Sequence, residues 1–243
     1  TICKELLKRN KKWKFSISAT TREKRDHEKD GVDYKLDKVN AIFPGNTEIN
    51  LSGDFKDNFK VFEGSTKLKS DNIKTFGTWL SFGFGNLSDM RFKKAELSSS
   101  VVFRKGGAIF AGIKGSIDSS KLNGEVKLRF SEKNILSANI KIDQINFDPY
   151  LETSSENNKE FRDKDLIDYL DQIIVDVELD KALFIEKQFE KIKFSSSYEN
   201  KNLNIRKLES NNFKKGFLLI KGNINYSNKE PIYDLSLSYD NKN

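Results

Sequence analysis

Polar and apolar residues alternate with a period of two through most of the chain from residue 40 onward. In Glu125-Val126-Lys127-Leu128-Arg129-Phe130, Val126, Leu128 and Phe130 fall on one side of an extended strand and the charges on the other. Ile140 and Ile142 repeat the pattern, and the phase then slips to Ile145 and Phe147, as a β-bulge produces. Val175, Val177 and Leu179 form a further set, as do Leu203 with Ile205, Leu218 with Ile220, and Leu235 and Leu237 with Tyr239. Breakers separate these runs at Gly106-Gly107, Ser119-Ser120, Asn200-Lys201-Asn202 and Ser227-Asn228-Lys229-Glu230-Pro231. Strands joined by such short polar turns predict an antiparallel meander with one apolar face and one wet face.

Two short segments break the alternation. Ile73, Phe76 and Leu80 stand at helical spacing behind Asp71-Asn72, which supplies an N-cap. Asp165-Leu166-Ile167-Asp168-Tyr169-Leu170 predicts a second short helix. The stretch 153–164 is polar and poor in apolar residues, so it reads as a linker. It divides the β region into a first half, 40–152, and a second half, 165–243. No fixed-period repeat accompanies the recurring strand-turn-strand theme.

Composition narrows the partners. A chain of 243 residues is long enough to bury a core, although 33% of it is charged against 36% hydrophobic. The net charge of +7 is uneven: residues 1–40 hold 12 Lys and Arg against 7 Asp and Glu, leaving only +2 on the remaining 203. A nucleic-acid binder concentrates positive charge on its main body, so no nucleic-acid partner is expected. The single cysteine, Cys3, and single histidine, His27, argue against a disulfide framework, a Cys/His metal site and a Ser-His-Asp triad. No cofactor or metal is expected. Trp79, Phe82 and Phe84 read as core residues rather than a base-stacking platform, because no basic groove accompanies them. Asp148-Pro149 reads as a turn, and no carboxylate pair has a spacing that singles out acid–base catalysis. There is no run of about 18 apolar residues and no visible signal peptide. The chain begins with Thr1 and its only methionine is Met90, so it reads as a fragment.

The densest chemical signature lies at residues 18–34, where Ser18, Thr21, Arg22, Arg25, Glu28, Gly31 and Tyr34 are spaced three apart save for the adjacent pair Thr21-Arg22. Guanidinium forks and hydroxyls are the groups that hold phosphate oxygens. This segment resembles the GMP-binding stretch of guanylate kinase. The resemblance implies a phosphate clamp of Ser18, Arg22, Arg25 and Tyr34 with weak affinity for GMP, on a small α/β fragment spanning 1–39. The phosphate-cradling loop of such kinases is absent from the chain, and so are the guanine-reading glutamate and the lid arginines. Phosphoryl transfer then lacks its positioning and charge stabilisation, and no enzymatic activity is expected.

A second resemblance covers about 200 residues. Phe43-Pro44-Gly45-Asn46-Thr47, Phe62-Glu63-Gly64, the Ile73–Leu80 segment with Trp79, and Ile145-Asn146-Phe147-Asp148-Pro149-Tyr150-Leu151 occur in the order found in the AsmA family of bacterial envelope proteins. The runs 175–183, 203–208 and 216–222 are similar to that family's paired strands. The resemblance implies an elongated, curved antiparallel sheet forming a lipid-accommodating groove, with two short helices. It also implies a phospholipid or other acyl-chain ligand and a role in lipid transport or outer-membrane homeostasis. Its implied location is the periplasm, inner-membrane anchored in the full-length protein. Val126, Leu128, Phe130, Ile140, Ile142, Leu218 and Ile220 would line the concave side.

Alternation alone fits a closed β-sandwich as well as a groove. Three functions therefore stay open: lipid handling, GMP binding by a kinase-related segment, and a ligand-free structural β-domain. The junction near residues 38–41 reads either as a gene fusion or as an assembly artefact.

Overall fold

Residues 16–25, 32–80, 92–148, 169–213, 216–228 and 230–241 are described by the structure, a computed structural model. Their strands are β1 (Ser16–Arg25), β2 (Val32–Phe43), β3 (Thr47–Lys56), β4 (Val61–Ser70), β5 (Ala95–Arg104), β6 (Gly107–Ile117), β7 (Ser120–Phe130), β8 (Asn134–Asn146), β9 (Gln172–Phe184), β10 (Lys187–Glu199), β11 (Asn202–Phe213), β12 (Gly216–Asn225) and β13 (Ile232–Asn241). All thirteen lie in one open sheet in chain order, with β1 and β13 at its edges. At about 4.8 Å per strand the sheet extends for about 58 Å across its strands.

The two-residue period acts in the same sense from β2 to β13. Register places Tyr34 opposite Phe55, Phe55 opposite Phe62, Phe62 opposite Phe103, and Phe103 opposite Ala108. The same transverse row continues through Leu128, Leu136 and Ile173, then Tyr198, Leu203, Ile224 and Tyr233. Twelve successive strands thus contribute an apolar or aromatic residue to one line on one face. Residues shifted by one position carry the charges: Lys67, Glu96, Lys127, Glu178 and Lys193 lie on the other side.

Three expectations change. The sheet is not wholly antiparallel, because β8 and β9 pair in parallel, from Ile135 with Gln172 to Asn146 with Leu183. Two parallel strands need a crossover, and β8 and β9 are joined by the 25 residues from Phe147 to Asp171; the antiparallel β4 and β5 are joined by the 24 residues that carry α1, and no other connection exceeds six. The expected division into halves is bridged by this pair, so both halves belong to one sheet; the linker at 153–164 lies outside the described residues. The kinase-like α/β fragment is not what the described part of 1–39 forms. Ser16–Arg25 and the start of Val32–Phe43 are the first two strands of the same sheet, and position 39 falls in mid-strand, where Val39 pairs with Leu51. Alternating Ser, Thr and Arg suit an extended edge strand as readily as a loop.

Of the two predicted helices, the first is observed as α1 (Ile73–Trp79). Asn72 is its N-cap, accepting from the Thr75 amide at 3.0 Å. The helix closes one end of strands β2–β5: Phe43 packs against Phe76 at 5.5 Å and Trp79 at 5.3 Å between ring centroids. Trp79 thereby joins the packing as expected, whereas Phe82 and Phe84 lie outside the described residues. Most of the second predicted helix, 165–168, also lies outside them. The tightest packing is a cluster of Leu36, Phe62 and Val101, with Val39, Leu51, Phe55 and Phe110 against it.

The phase slip expected after Ile142 is present and is shared by three strands. Ile142, Leu179 and Ile192 are register partners, and three residues along Ile145, Ala182 and Phe189 are partners again. The ladder lapses between them at Asp143, Asp180 and Lys191, and Lys191 has a positive φ of 50°.

Candidate functional site

The residues expected to line an apolar surface do share one face. Val126, Leu128 and Phe130 of β7 pair with Ala138, Leu136 and Asn134 of β8, so Ile140 and Ile142 lie on the same side. Leu218 and Ile220 reach that side through Ser210 and Leu208 of β11. None of the seven is fully buried, and Phe130 is 43% exposed. In a closed sandwich the inward-facing positions would be sealed by a second sheet. Here all thirteen strands belong to one sheet, and α1 covers only one end of it.

The face differs in character along its length. From β2 to β6 it is aromatic and well packed: Phe55 meets Phe62 at 5.0 Å, Phe62 meets Phe103 at 5.9 Å, and Phe103 meets Phe110 at 5.8 Å. From β7 to β12 it is mainly aliphatic and mostly half-buried, with Phe130, Phe194 and Tyr198 as aromatic members and Leu179, Ser196 and Ser210 buried. At β13 it is open, with Leu237 66% and Tyr233 63% exposed.

Of the clamp residues expected from the sequence, Tyr34 lies opposite Glu23, between the backbone positions of Arg22 and Arg25, and Ser18 lies further along β1. Ser18 pairs with Asn40, Arg22 with Lys35 and Arg25 with Val32. Seven residues of extended strand separate Ser18 from Arg25, about 23 Å at 3.3 Å per residue. Tyr34 is on the apolar face, stacked on Phe59 with ring centroids 4.6 Å apart.

Polar groups elsewhere serve the fold. Asp118 accepts hydrogen bonds from the amides of Phe92, Lys93 and Lys94 at 2.9–3.0 Å, fastening the return from α1 to the β6–β7 turn. Asp148 accepts from the amides of Ile185 and Glu186, holding the β9–β10 turn, while Pro149 lies outside the described residues. On the polar face, Asn40 and Asn50 donate to Glu48 at 2.5 and 2.9 Å. The hydrogen bond from Asn50, then that from Asn40, holds the Glu48 carboxyl below the usual carboxylate range. An open depression of about 540 Å³ lies over this polar face, bordered by Glu48, Lys67, Lys69, Glu96 and Lys114. Its charges are of both signs and select no single class of ion. Among the described residues no group of three His, Cys, Asp or Glu could hold a metal ion, and no helix is long and apolar enough to cross a membrane.

Sequence reasoning found the face but missed a feature within it. Ser196 sits between Val175 and Ile205 in register and is only 4% exposed. It lies in the run Ser195-Ser196-Ser197, where nothing in composition distinguishes it from its neighbours. Comparison with family models, with curated proteins and with solved structures gives no match to this chain.

Proposed function

We propose that this protein accommodates the acyl chains of phospholipids along the apolar face of its sheet. The observation that carries this reading is the unbroken apolar row from Tyr34 on β2 to Tyr233 on β13, which no second sheet among the described residues covers. Apolar surface on this scale requires a partner, because water contact costs about 25 cal/mol per Å². An acyl chain satisfies it without hydrogen-bonding groups that the face could not match. The resemblance to AsmA proteins supports the same reading and adds a bacterial-envelope location, a curved groove and a part in lipid transport or outer-membrane homeostasis. Phosphoryl transfer has less support, because the candidate clamp residues are spread along an extended strand.

The test is lipid co-purification from a bacterial host, followed by titration with phospholipid, for the parent and for Leu128→Asp and Ile220→Asp. The parent is expected to carry phospholipid, and both variants to lose most of it while keeping their unfolding midpoints. A parent without bound lipid, together with global unfolding of both variants, would overturn the proposal in favour of a closed core.

A further inference from the structure

Beside the aromatic row runs a second transverse row of smaller residues. Val126, Ala138, Val175, Ser196, Ile205 and Gly222 follow one another in register from β7 to β12. On three of its six strands larger residues flank it on both sides: Ala138 lies between Leu136 and Ile140, Ser196 between Phe194 and Tyr198, and Gly222 between Ile220 and Ile224. Strand alternation keeps each such trio on one face. Where Ala138, Ser196 and Gly222 stand between larger neighbours, the row dips below the lines beside it, a shallow channel running across the strands.

One member of this row is chemically out of place. Four polar residues among those described are buried: Thr47, Ser70, Ser196 and Ser210. Thr47 and Ser70 bond each other at 2.7 Å, and Ser210 donates to the Glu190 carbonyl at 3.0 Å. The Ser196 hydroxyl, 4% exposed, has no hydrogen-bond partner among the described residues. A buried hydroxyl without a partner is costly and rare, and this one is on the apolar face at the floor of the channel.

We infer that Ser196 donates a hydrogen bond to the carbonyl oxygen of a fatty-acyl ester whose chain lies in this channel. This rests on the acyl-chain reading above and specifies the ligand's polar anchor. Three strand spacings separate Ser196 from Val126, about 14 Å. One acyl chain occupies half of a hydrocarbon core about 30 Å thick, so that span suits a single chain. Beyond Val126 the row meets Phe110, its register partner, which packs on the Leu36–Phe62–Val101 cluster and closes the channel. The ester end is thereby set at β10 and the methyl end toward β6.

The probes are a single-chain palmitoyl lysophosphatidylcholine and its ether analogue, which lacks the carbonyl, both below their micelle concentrations. The parent is expected to bind the ester at least fivefold more tightly than the ether. Ser196→Ala is expected to bind both alike, at the parent's ether affinity, with an unfolding midpoint unchanged or raised. Ser196→Thr, which restores a donor, is expected to recover part of the preference. Equal binding of the two lipids by the parent, or an ester preference surviving in Ser196→Ala, overturns the Ser196 assignment and leaves acyl-chain binding standing. Binding of neither lipid overturns both.

Discussion

Phe62 lays its ring over Gly53 and Gly64, which face each other across β3 and β4; a β-carbon on either glycine would come within 2.8 Å of the Phe62 Cζ atom. The glycines leave the space that lets Phe62 reach 4% exposure in the best-packed cluster of the sheet. A β-carbon on Gly53 would also press on the Glu63 carbonyl, and one on Gly64 on the Ser52 carbonyl. Gly53→Ala and Gly64→Ala are expected to destabilise by about 1–3 kcal/mol each through overpacking. Urea unfolding of the two variants against the parent checks this.

An introduced carboxylate should separate packed from open regions of the same face. Val101 is 1% exposed, and Val101→Asp is expected to cost about 3–5 kcal/mol by burying a charge without a partner. Leu128 is half-buried on the aliphatic stretch, and Leu128→Asp is expected to cost at most about 1 kcal/mol in the absence of lipid. Equal losses in thermal unfolding would mean that the aliphatic stretch is sealed.

Asp118 gathers three amides with one carboxylate. Asp118→Ala leaves those donors to water and is expected to destabilise by about 1–2 kcal/mol, in the range of a lost capping residue. Amide exchange at Phe92, Lys93 and Lys94 should quicken more than exchange in β9–β12.

Glu48 gives a titration with a definite sign. Its carboxyl is held below the ordinary value by hydrogen bonds from Asn50 and then Asn40. Any stability from this arrangement is present above the ordinary carboxylate range and is lost as the pH falls through the lowered value. In Asn50→Ala the Glu48 carboxyl is expected to titrate closer to its ordinary value. NMR titration of the side-chain carboxyl in parent and variant measures the difference.

How far the fold was legible follows from what alternation encodes. Val126, Leu128 and Phe130 declare their shared face in six residues, and the Ile73–Leu80 spacing behind Asn72 declares a helix. Alternation does not say which strand lies beside which, or in what direction. The parallel pairing of β8 with β9 was therefore invisible, as was the union of the two halves. The Ser18–Tyr34 segment shows a related limit of spacing: the same three-residue intervals fit a loop around a phosphate and a pair of extended strands, and Ser16–Arg25 and Val32–Phe43 are strands. Ser196 could be distinguished from Ser195 and Ser197 only once register had put it between Val175 and Ile205.

The β8–β9 pair has a consequence for how the molecule comes apart. Apart from α1, each strand depends chiefly on its immediate neighbours, so the sheet behaves as a one-dimensional chain of coupled units, each link adding its own free energy. All but two of the links close over six residues or fewer. The β4–β5 and β8–β9 links close over 24 and 25 residues, at a larger entropy cost; β4–β5 is antiparallel and its connection carries α1, whereas β8–β9 is parallel, the slightly less stable pairing. It is the seam at which the array would part first, leaving β1–β8 and β9–β13 as separately cooperative blocks. In native-state hydrogen exchange the two blocks would show different opening free energies. Any force or ligand that strains the long sheet would be relieved at this seam before any hairpin opened.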